Sequence, residues 1–541
     1  MTAFRYILNS VAHHRFAYLG VLAGAVLGAT VLLGAMFAGD SVAASLKRIG
    51  QLRIGQASHV VAAGDRFFRE ALADELATQA GVKATPVLLA RGTATQPTTR
   101  AFATQVQLVG VTPGFWQFSP TPATVALDAA KNEVAVNDAL ARRLALKVGD
   151  TLVVRLQKPG VLSGNAPIAG AETKLESVRC TVAAIVGEES FGRFNLEATQ
   201  VAPPSVFLPI ALLQTAVNRP QRANLLLVSG SKPTADLTAT LARAVRLADY
   251  GLALHWREAA TAFDLTSERI FLDPPMAQAI AAAVPAAQPV VSYLVNDLRA
   301  GARATPYSIG AATTPAAAPF LPADLGPREV VINRWLADDL QIGPGAELTA
   351  AFFQVGAGDA LVERSATFRV RAVVPLEDVA ADRAWMPEFP GISDVKNQSD
   401  WDPGLPLKLD RIRPHDEKYW DDYRGTPKAW FAIGAGREMW ATRWGELTAL
   451  RIAQPQDRAA ELERQLLGVL RPELNQLLVR DVRAGAKGSA QSAVDFGGLF
   501  LGMSFFLILA ALGLVAMLFQ LSLLLRNRED ALLGAVGVPA G

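Results

Sequence analysis

A single cysteine, five scattered histidines and a near balance of charge exclude much before any motif is read. Cys180 has no partner in the chain, so no intrachain disulfide can brace a domain in an oxidising compartment, and such a domain must hold itself together by its core. With 52 basic against 50 acidic residues and no long basic tract, the chain lacks the electrostatic footprint of a nucleic-acid binder. No G-x-x-x-x-G-K-[ST] loop is present to cradle a phosphate, so the chain is not expected to bind and hydrolyse ATP alone. H-E-x-x-H and G-x-S-x-G are absent too, and His13, His14, His59, His255 and His415 are too dispersed to suggest a metal cluster. The expectation is no enzyme, with no catalytic residue, no cofactor and no metal ligand.

What the chain does have is two membrane-length apolar runs near its ends. Residues 17–38 and 496–525 contain no charged side chain. At ~1.5 Å rise per residue and ~30 Å of hydrocarbon, about 20 residues suffice to cross, so both runs are long enough. A buried soluble helix is the poorer reading, because runs of this length leave no polar face for water. A cleaved signal peptide is the rival for the first run. Its length exceeds the ~7–15 residues of a signal core, and the best small-x-small site, Ser41-Val42-Ala43, is mediocre. Gly20, Gly24 and Gly28, four apart, lie on one helix face and would let another helix backbone approach, as Gly498 and Gly502 would on the second run. Two spans place both termini on one side. Arg5 and Arg15 before the first and Arg526 and Arg528 after the second favour a cytoplasmic location, against Lys47, Arg48 and Arg53 just beyond the first.

Between the runs the strongest signal is an internal repeat. Glu133-Val134-Ala135-Val136-Asn137 and the following Leu140, Ala141 and Leu144 return 196 residues later as Glu329-Val330-Val331-Ile332-Asn333 with Leu336, Ala337 and Leu340. Asp128 and Asp324 precede the copies, and Gly149 and Gly345 follow them, at the same offset. Each copy predicts a strand, a short helix, a glycine turn and further strands, at 151–156 and 181–186 in the first and 347–353 and 367–374 in the second. Two related α+β units follow from this. Residues 66–80, 235–252 and 457–470 carry helical apolar spacing. Residues 305–323, dense in Pro, Ala and Thr, predict a linker or surface loop.

Residues 394–451 hold five of the nine tryptophans, Trp401, Trp420, Trp430, Trp440 and Trp444, beside His415-Asp416-Glu417 and Asp421-Asp422. Aromatics and carboxylates together can bind sugars or hard cations. The alternative is an ordered insertion whose tryptophans pack on the domain, favoured by the lack of any spaced ligand pattern.

After the second run comes Arg526-Asn527-Arg528-Glu529-Asp530-Ala531-Leu532-Leu533-Gly534-Ala535-Val536-Gly537, where charge marks the bilayer exit and Leu532, Leu533 and Val536 form a short apolar face. This resembles the coupling helix of the FtsX-like and MacB-type permeases of ABC transporters, in which a pattern close to R-x-x-E-[IG]-[GA]-[LV]-L-[RK]-A-[LM]-G docks on the ATPase. Glu529, Ala531, Leu533, Ala535 and Gly537 match, while Gly534 replaces the usual basic residue and Ala531 the usual glycine. The run from Phe496 to Phe506, the Gly39-Asp40-Ser41-Val42 segment, and Val109-Gly110-Val111-Thr112-Pro113-Gly114-Phe115-Trp116 leading to Glu133-Val134 and Gly149-Asp150 are similar to the same family.

The resemblance implies α+β extracytoplasmic domains of MacB-type periplasmic fold, built on a duplicated strand-helix-strand unit and flanked by two transmembrane helices. Its expected parts are a cytoplasmic or interfacial segment at 1–16, a first membrane helix at 17–38, a first repeat at 39–304, a linker at 305–323, and a second repeat at 324–490 with its tryptophan-rich insertion at 394–451. A second membrane helix at 496–525 and a coupling helix at 526–541 complete them. It implies a permease subunit in a bacterial inner membrane, partnered by a cytoplasmic ABC ATPase, membrane lipid and a second permease half or copy. ATPase coupling would fall to Arg528, Glu529, Leu532, Leu533 and Gly537. Family members continue into at least two more spans, whereas this sequence stops at Gly541, so the resemblance implies either a fragment or one half of a split permease, and not a complete transport unit. An envelope scaffold or receptor with two spans and no transport role is the alternative.

Overall fold

The first uncharged run folds into a helix far longer than itself. In the computed structural model the described residues are 3–157, 175–197, 199, 201–355, 361–389, 391–402, 405–486, 496–535 and 537. A short helix α1 (Ala3–His13) leads into α2 (Arg15–Ile54), 40 residues without a break. At ~1.5 Å per residue α2 is ~60 Å long, about twice what a hydrocarbon layer needs. The Gly39-Asp40-Ser41-Val42 segment, expected to leave the helix, is instead helical within it. The chain divides into two units: 1–56, 193–202 and 482–541 make one, and 57–192 with 203–481 make the other.

The larger unit is a duplicated α+β fold. Its first half contains β1 (His59–Ala62), β2 (Phe68–Arg69), α3 (Leu72–Ala80), β3 (Lys83–Thr95), β4 (Phe102–Val111), β5 (Glu133–Asn137), α4 (Asp138–Leu144), β6 (Thr151–Gln157), β7 (Leu175–Val186), β8 (Ser205–Pro209), α5 (Ile210–Ala216), β9 (Arg222–Ala223), β10 (Leu225–Ser229) and α6 (Thr234–Ala244). The second half contains β11 (Leu252–Arg257), β12 (Ala262–Ser267), α7 (Pro274–Ala283), β13 (Ala287–Ala300), β14 (Arg303–Thr313), β15 (Glu329–Asn333), α8 (Arg334–Leu340), β16 (Glu347–Val355), β17 (Leu361–Val374), α9 (Pro414–Tyr423), β18 (Ala429–Ala432), α10 (Ile433–Trp440), β19 (Ala449–Ile452), α11 (Ala459–Val469) and β20 (Leu478–Asp481).

The strands form two nine-stranded sheets of the same plan, the first taking eight strands from the first half and β20 from the end of the second. The orders are β20-β1-β10-β3-β4-β8-β5-β7-β6 and β11-β12-β19-β13-β14-β18-β15-β17-β16, with β3–β6 and β13–β16 closing six strands of each into a ring. In both, the pairs β4–β8 and β5–β7, or β14–β18 and β15–β17, run parallel. The register shifts at Val134/Ala135 in the first copy and at Val330/Val331 in the second, which are equivalent positions. Gly149 and Gly345 adopt φ +94° and +91°, a conformation costly for any side chain, and their N–H groups donate to Val182 and Val370. The repeat seen in the sequence is therefore a repeat of structure.

One asparagine explains much of why the copied segment folds identically. Asn137 and Asn333, both fully buried, cap α4 and α8 by accepting from the N–H of Leu140 (3.0 Å) and Leu336 (2.8 Å). Their amide nitrogens then donate to the segments leading into the neighbouring strands β8 and β18, from Asn137 to Gly192 and Pro203 and from Asn333 to Pro427, and also to Tyr419 of α9. Each ring is filled by its own apolar core, Leu88, Val134, Leu144 and Leu152 in the first and Val295, Val330, Leu340 and Leu348 in the second. A third core binds the halves together, where Val61, Leu226, Phe263 and Ile452 of the strands meet α3, α6, α7 and α11. Buried Asp249 beneath Arg69 and the Arg66–Asp273 pair, with Asn475 accepting from Arg66, tie the same seam.

Three expectations change. Residues 305–313 are not linker: they form most of β14, fully inside the second sheet, and only the turns beyond Thr313 fit a loop. Nor is 394–451 an insertion throughout, because 429–452 supplies β18, α10 and β19, the counterparts of β8, α5 and β10. The added material of the second half is the stretch between β17 and β18. Finally, 66–80 is helical only from Leu72; Phe68–Arg69 is a two-residue strand paired with β9.

The second uncharged run forms α12 (Phe496–Ala535), again 40 residues without a break, so the expected coupling segment continues the same helix through Ala535. Among the described residues, α2 and α12 are the helices long and apolar enough to cross a membrane.

Candidate functional site

Glycine decides how α2 meets α12. A Cβ built on Gly20 would fall 3.7 Å from Leu518 Cδ1, one on Gly24 2.8 Å from Val515 Cγ2 and one on Gly28 3.4 Å from Ala511 Cβ. As the α2 number rises the α12 number falls, so the helices run antiparallel. No larger side chain is admitted at Gly24 without displacing Val515. The expected α12 partners do not fill this role: Gly502 has nothing within 4 Å of its Cβ position, and the side-chain surroundings of Gly498 lie outside the described residues. The contact belongs to a stretch two to four turns further along, where Ala511, Val515 and Leu518 carry no sequence mark of an interface.

The opposite faces of both helices are bare. Leu19, Leu22, Leu27 and Phe37 of α2 and Phe506, Leu512 and Met517 of α12 are exposed, as suits an apolar surrounding and not water.

The first charge after the second run closes the pair. Arg526 donates from Nη2 to Ser10 Oγ at 3.1 Å and to the Tyr18 hydroxyl, with its guanidinium 5.1 Å from the Tyr18 ring centre. That clasp joins α1, α2 and α12. It could have been anticipated from Arg526 being the first charge beyond the run, although its partners could not. Beyond it, Leu532 is exposed and Gly537 takes φ +84°. The side chains of Arg528, Glu529 and Leu533 lie outside the described residues.

The tryptophan-rich stretch resolves into core packing. Trp401, Trp420, Trp430 and Trp440 are buried, Trp430 on the central strand β18. Two of its carboxylates are already engaged: Glu417 accepts from the N–H of Gln398 and Ser399, and Asp416 from Arg413 at three donors. His415 stacks on Trp335, 4.5 Å between centroids. Among the described residues no three His, Cys, Asp or Glu side chains converge as a metal site.

Beneath that stack sits a residue the sequence reading passed over. Lys428, just before β18, has its ammonium 4.1 Å from the Trp335 ring centre and 4.6 Å from that of Tyr419, with Asp416 at 3.9 Å. Burial pushes its pKa down to about 8, against the pull of Asp416 and Asp339. No local pattern marks it, since the cage comes from α8 and α9, which are far apart in the chain.

Residues 19–247 match the family model of the MacB-like periplasmic core domain. Among solved structures, the chain is similar to the periplasmic region of MacB from Actinobacillus actinomycetemcomitans, at 12% identity and a TM-score of 0.24, over 35% of this chain and 83% of that one. It is also similar to the extracellular domain of the noncanonic ABC-type transporter YknZ from Gram-positive bacteria, at 12% identity and a TM-score of 0.23, over 35% of this chain and 91% of that one. No curated protein matches it. The family match begins inside α2 and ends beyond α6, spanning the first half of the duplicated fold, and it supports the resemblance to the FtsX/MacB-type permeases of ABC transporters.

Proposed function

We propose that the chain is a membrane permease subunit of an ABC-type transporter or mechanotransmission complex, anchored in a bacterial inner membrane by α2 and α12 with the duplicated domain outside. In this reading a separate cytoplasmic ATPase docks on the end of α12, through Arg528, Glu529, Leu532, Leu533 and Gly537, and its nucleotide cycle shifts α12 against α2. The carrying observation is the antiparallel helix pair joined through Gly20, Gly24 and Gly28, with residues 57–481 threaded between its members. Small residues let the two backbones approach closely and pack, so a displacement of one helix is passed to the other. The Arg526 clasp supports the same reading, because a push on the tail reaches α1 and α2 directly.

Coupling of this kind needs the ATPase to hold the tail differently in its ATP-bound and free states, since equal affinity for both would transmit nothing. Lipid around the bare faces and a second permease half or copy complete the expected assembly.

The test is co-purification of the full chain from its native membrane. An ATP-binding cassette protein should be retained by the wild type and lost with Glu529→Lys or Leu533→Asp. Retention of no ATPase by the wild type would favour a two-span scaffold instead.

A further inference from the structure

Both copies of the repeated fold end in the same way. Helix α6 is followed by a short turn, Leu247–Tyr250, a left-handed Gly251 (φ +67°) and β11; helix α11 is followed by a short turn, Pro472–Asn475, a left-handed Gln476 (φ +59°) and β20. By its place in the repeat β11 is thus the last strand of the first copy, as β20 is of the second. The copies also begin alike, with β1 and β12 lying beside β10 and β19. Yet neither last strand returns to the first strand of its own copy. β20 lies antiparallel on β1, from His59↔Asp481 to Ala62↔Leu478, and β11 lies antiparallel on β12, from Leu252↔Ser267 to Arg257↔Ala262. Ala62 stands between Leu478 and Leu225, and its counterpart Thr266 stands between Ala253 and Ala449. The two pairings are one pairing with its partners exchanged.

The crossing point is held by bonds that each run from one copy to the other. Tyr250 donates from its hydroxyl to the Leu470 carbonyl at 3.0 Å, and Asn475 donates from Nδ2 to the Asp249 carbonyl at 2.6 Å, with both side chains buried. Asn475 also accepts from Arg66, which pairs with Asp273, so the residues before α3 and α7 meet at the same place. Beneath the exchanged strands Val61 of β1, Leu252 of β11 and Phe263 of β12 share one core, with Val479 of β20 packed against it. Buried backbone groups are costly to leave unpaired, so drawing the copies apart would strip both ladders together and open the core they cover.

We propose that this reciprocal exchange of last strands interlocks the copies, so that the duplicated domain has no hinge between its halves and strains and unfolds as one body. The consequence for any load is direct. His59 and Asp481, near the two ends of the larger unit, are register partners in the first sheet. A pull at either end is taken up in that sheet and passed to the second copy, because β20 belongs to both. The second copy, although outside the family match, completes the sheet of the first. The interlock holds whatever partner meets the tail of α12.

The experiment follows denaturant unfolding of the detergent-solubilised full chain with one probe for each copy. Seven of the nine tryptophans lie between Trp335 and Trp444, so intrinsic fluorescence follows the second copy, while pulsed thiol labelling of Cys180, buried in the first ring, follows the first. Both should give one midpoint, and Asn137→Ala, a change in the first copy, should lower the two midpoints by equal amounts. Separate wild-type midpoints, or a fluorescence midpoint that stays in place while the Cys180 midpoint falls, overturns the interlock. The wild-type comparison decides if the variant fails to fold. The exchange itself is read in a Cys180→Ser chain carrying added cysteine pairs, since antiparallel register partners have Cα atoms ~4.5–5.5 Å apart, within reach of a disulfide. Ala62→Cys with Leu478→Cys, and Ala253→Cys with Thr266→Cys, should oxidise to intrachain disulfides, whereas Ala62→Cys with Ala253→Cys should not. A disulfide between positions 62 and 253 would show each copy keeping its own last strand, and the proposal would be lost.

Discussion

Single side chains set the energetics of both copies. Asn137 and Asn333 each join a helix cap to a bond with the carbonyl before the neighbouring strand, and removing either leaves buried backbone groups without partners. Asn137→Ala and Asn333→Ala should each lower stability by about 2–4 kcal/mol, read from denaturant unfolding. Glu75 gives a pH prediction. Hydrogen bonds from Arg69, at 2.9 and 3.1 Å, hold its carboxyl below the usual range, so its stabilisation is complete above the unfolded-state value and lost as pH falls through the folded one. The gap in melting temperature between wild type and Glu75→Gln should thus be present at pH 7 and close only once the pH has fallen below the ordinary carboxylate range. Cys180 should be inert to a maleimide at pH 8, since burial pushes its thiol up to about 12; rapid labelling of the folded chain would contradict that.

At the scale of elements, what could be read from the sequence followed from what side chains announce. The copied strand-helix-turn was legible because branched residues, an asparagine cap and a glycine with positive φ all recur at one offset. Strand β14 was not, and the reason is packing. Its alanines and Gly310 are small because other groups come close: a Cβ on Gly310 would meet Trp440 at 3.0 Å, and one on Gly436 of α10 would collide with Ala312. Smallness imposed by a crowded interior looks like the composition of a loop. The glycine face of α2 was readable for the converse reason, since spacing by four in an apolar helix has few other uses, yet its complement on α12 consists of ordinary membrane residues. Cysteines at Gly28 and Ala511 should crosslink readily, the two Cβ positions being 3.4 Å apart and near the ~3.8 Å of a disulfide. Adding Gly24→Leu should cut that crosslinking several-fold by wedging against Val515.

For the whole molecule, duplication with one altered copy is the governing feature. Both sheets share their order, crossings and bulge, and the second adds a helix-bearing segment between β17 and β18. The tryptophans that suggested a ligand site are the core of that addition and its neighbours. The family match covers the first half and leaves the second outside it. Everything proposed about coupling depends on α2 and α12 crossing one bilayer, with the duplicated domain on the far side from the tail of α12. Cysteine at Val148, exposed in the large unit, and cysteine at Leu532 test this in intact cells with a membrane-impermeant maleimide. The account predicts labelling of the Val148→Cys variant once the outer envelope is permeable, and of Leu532→Cys only after the inner membrane is opened. Labelling of Leu532→Cys with that membrane intact would contradict it.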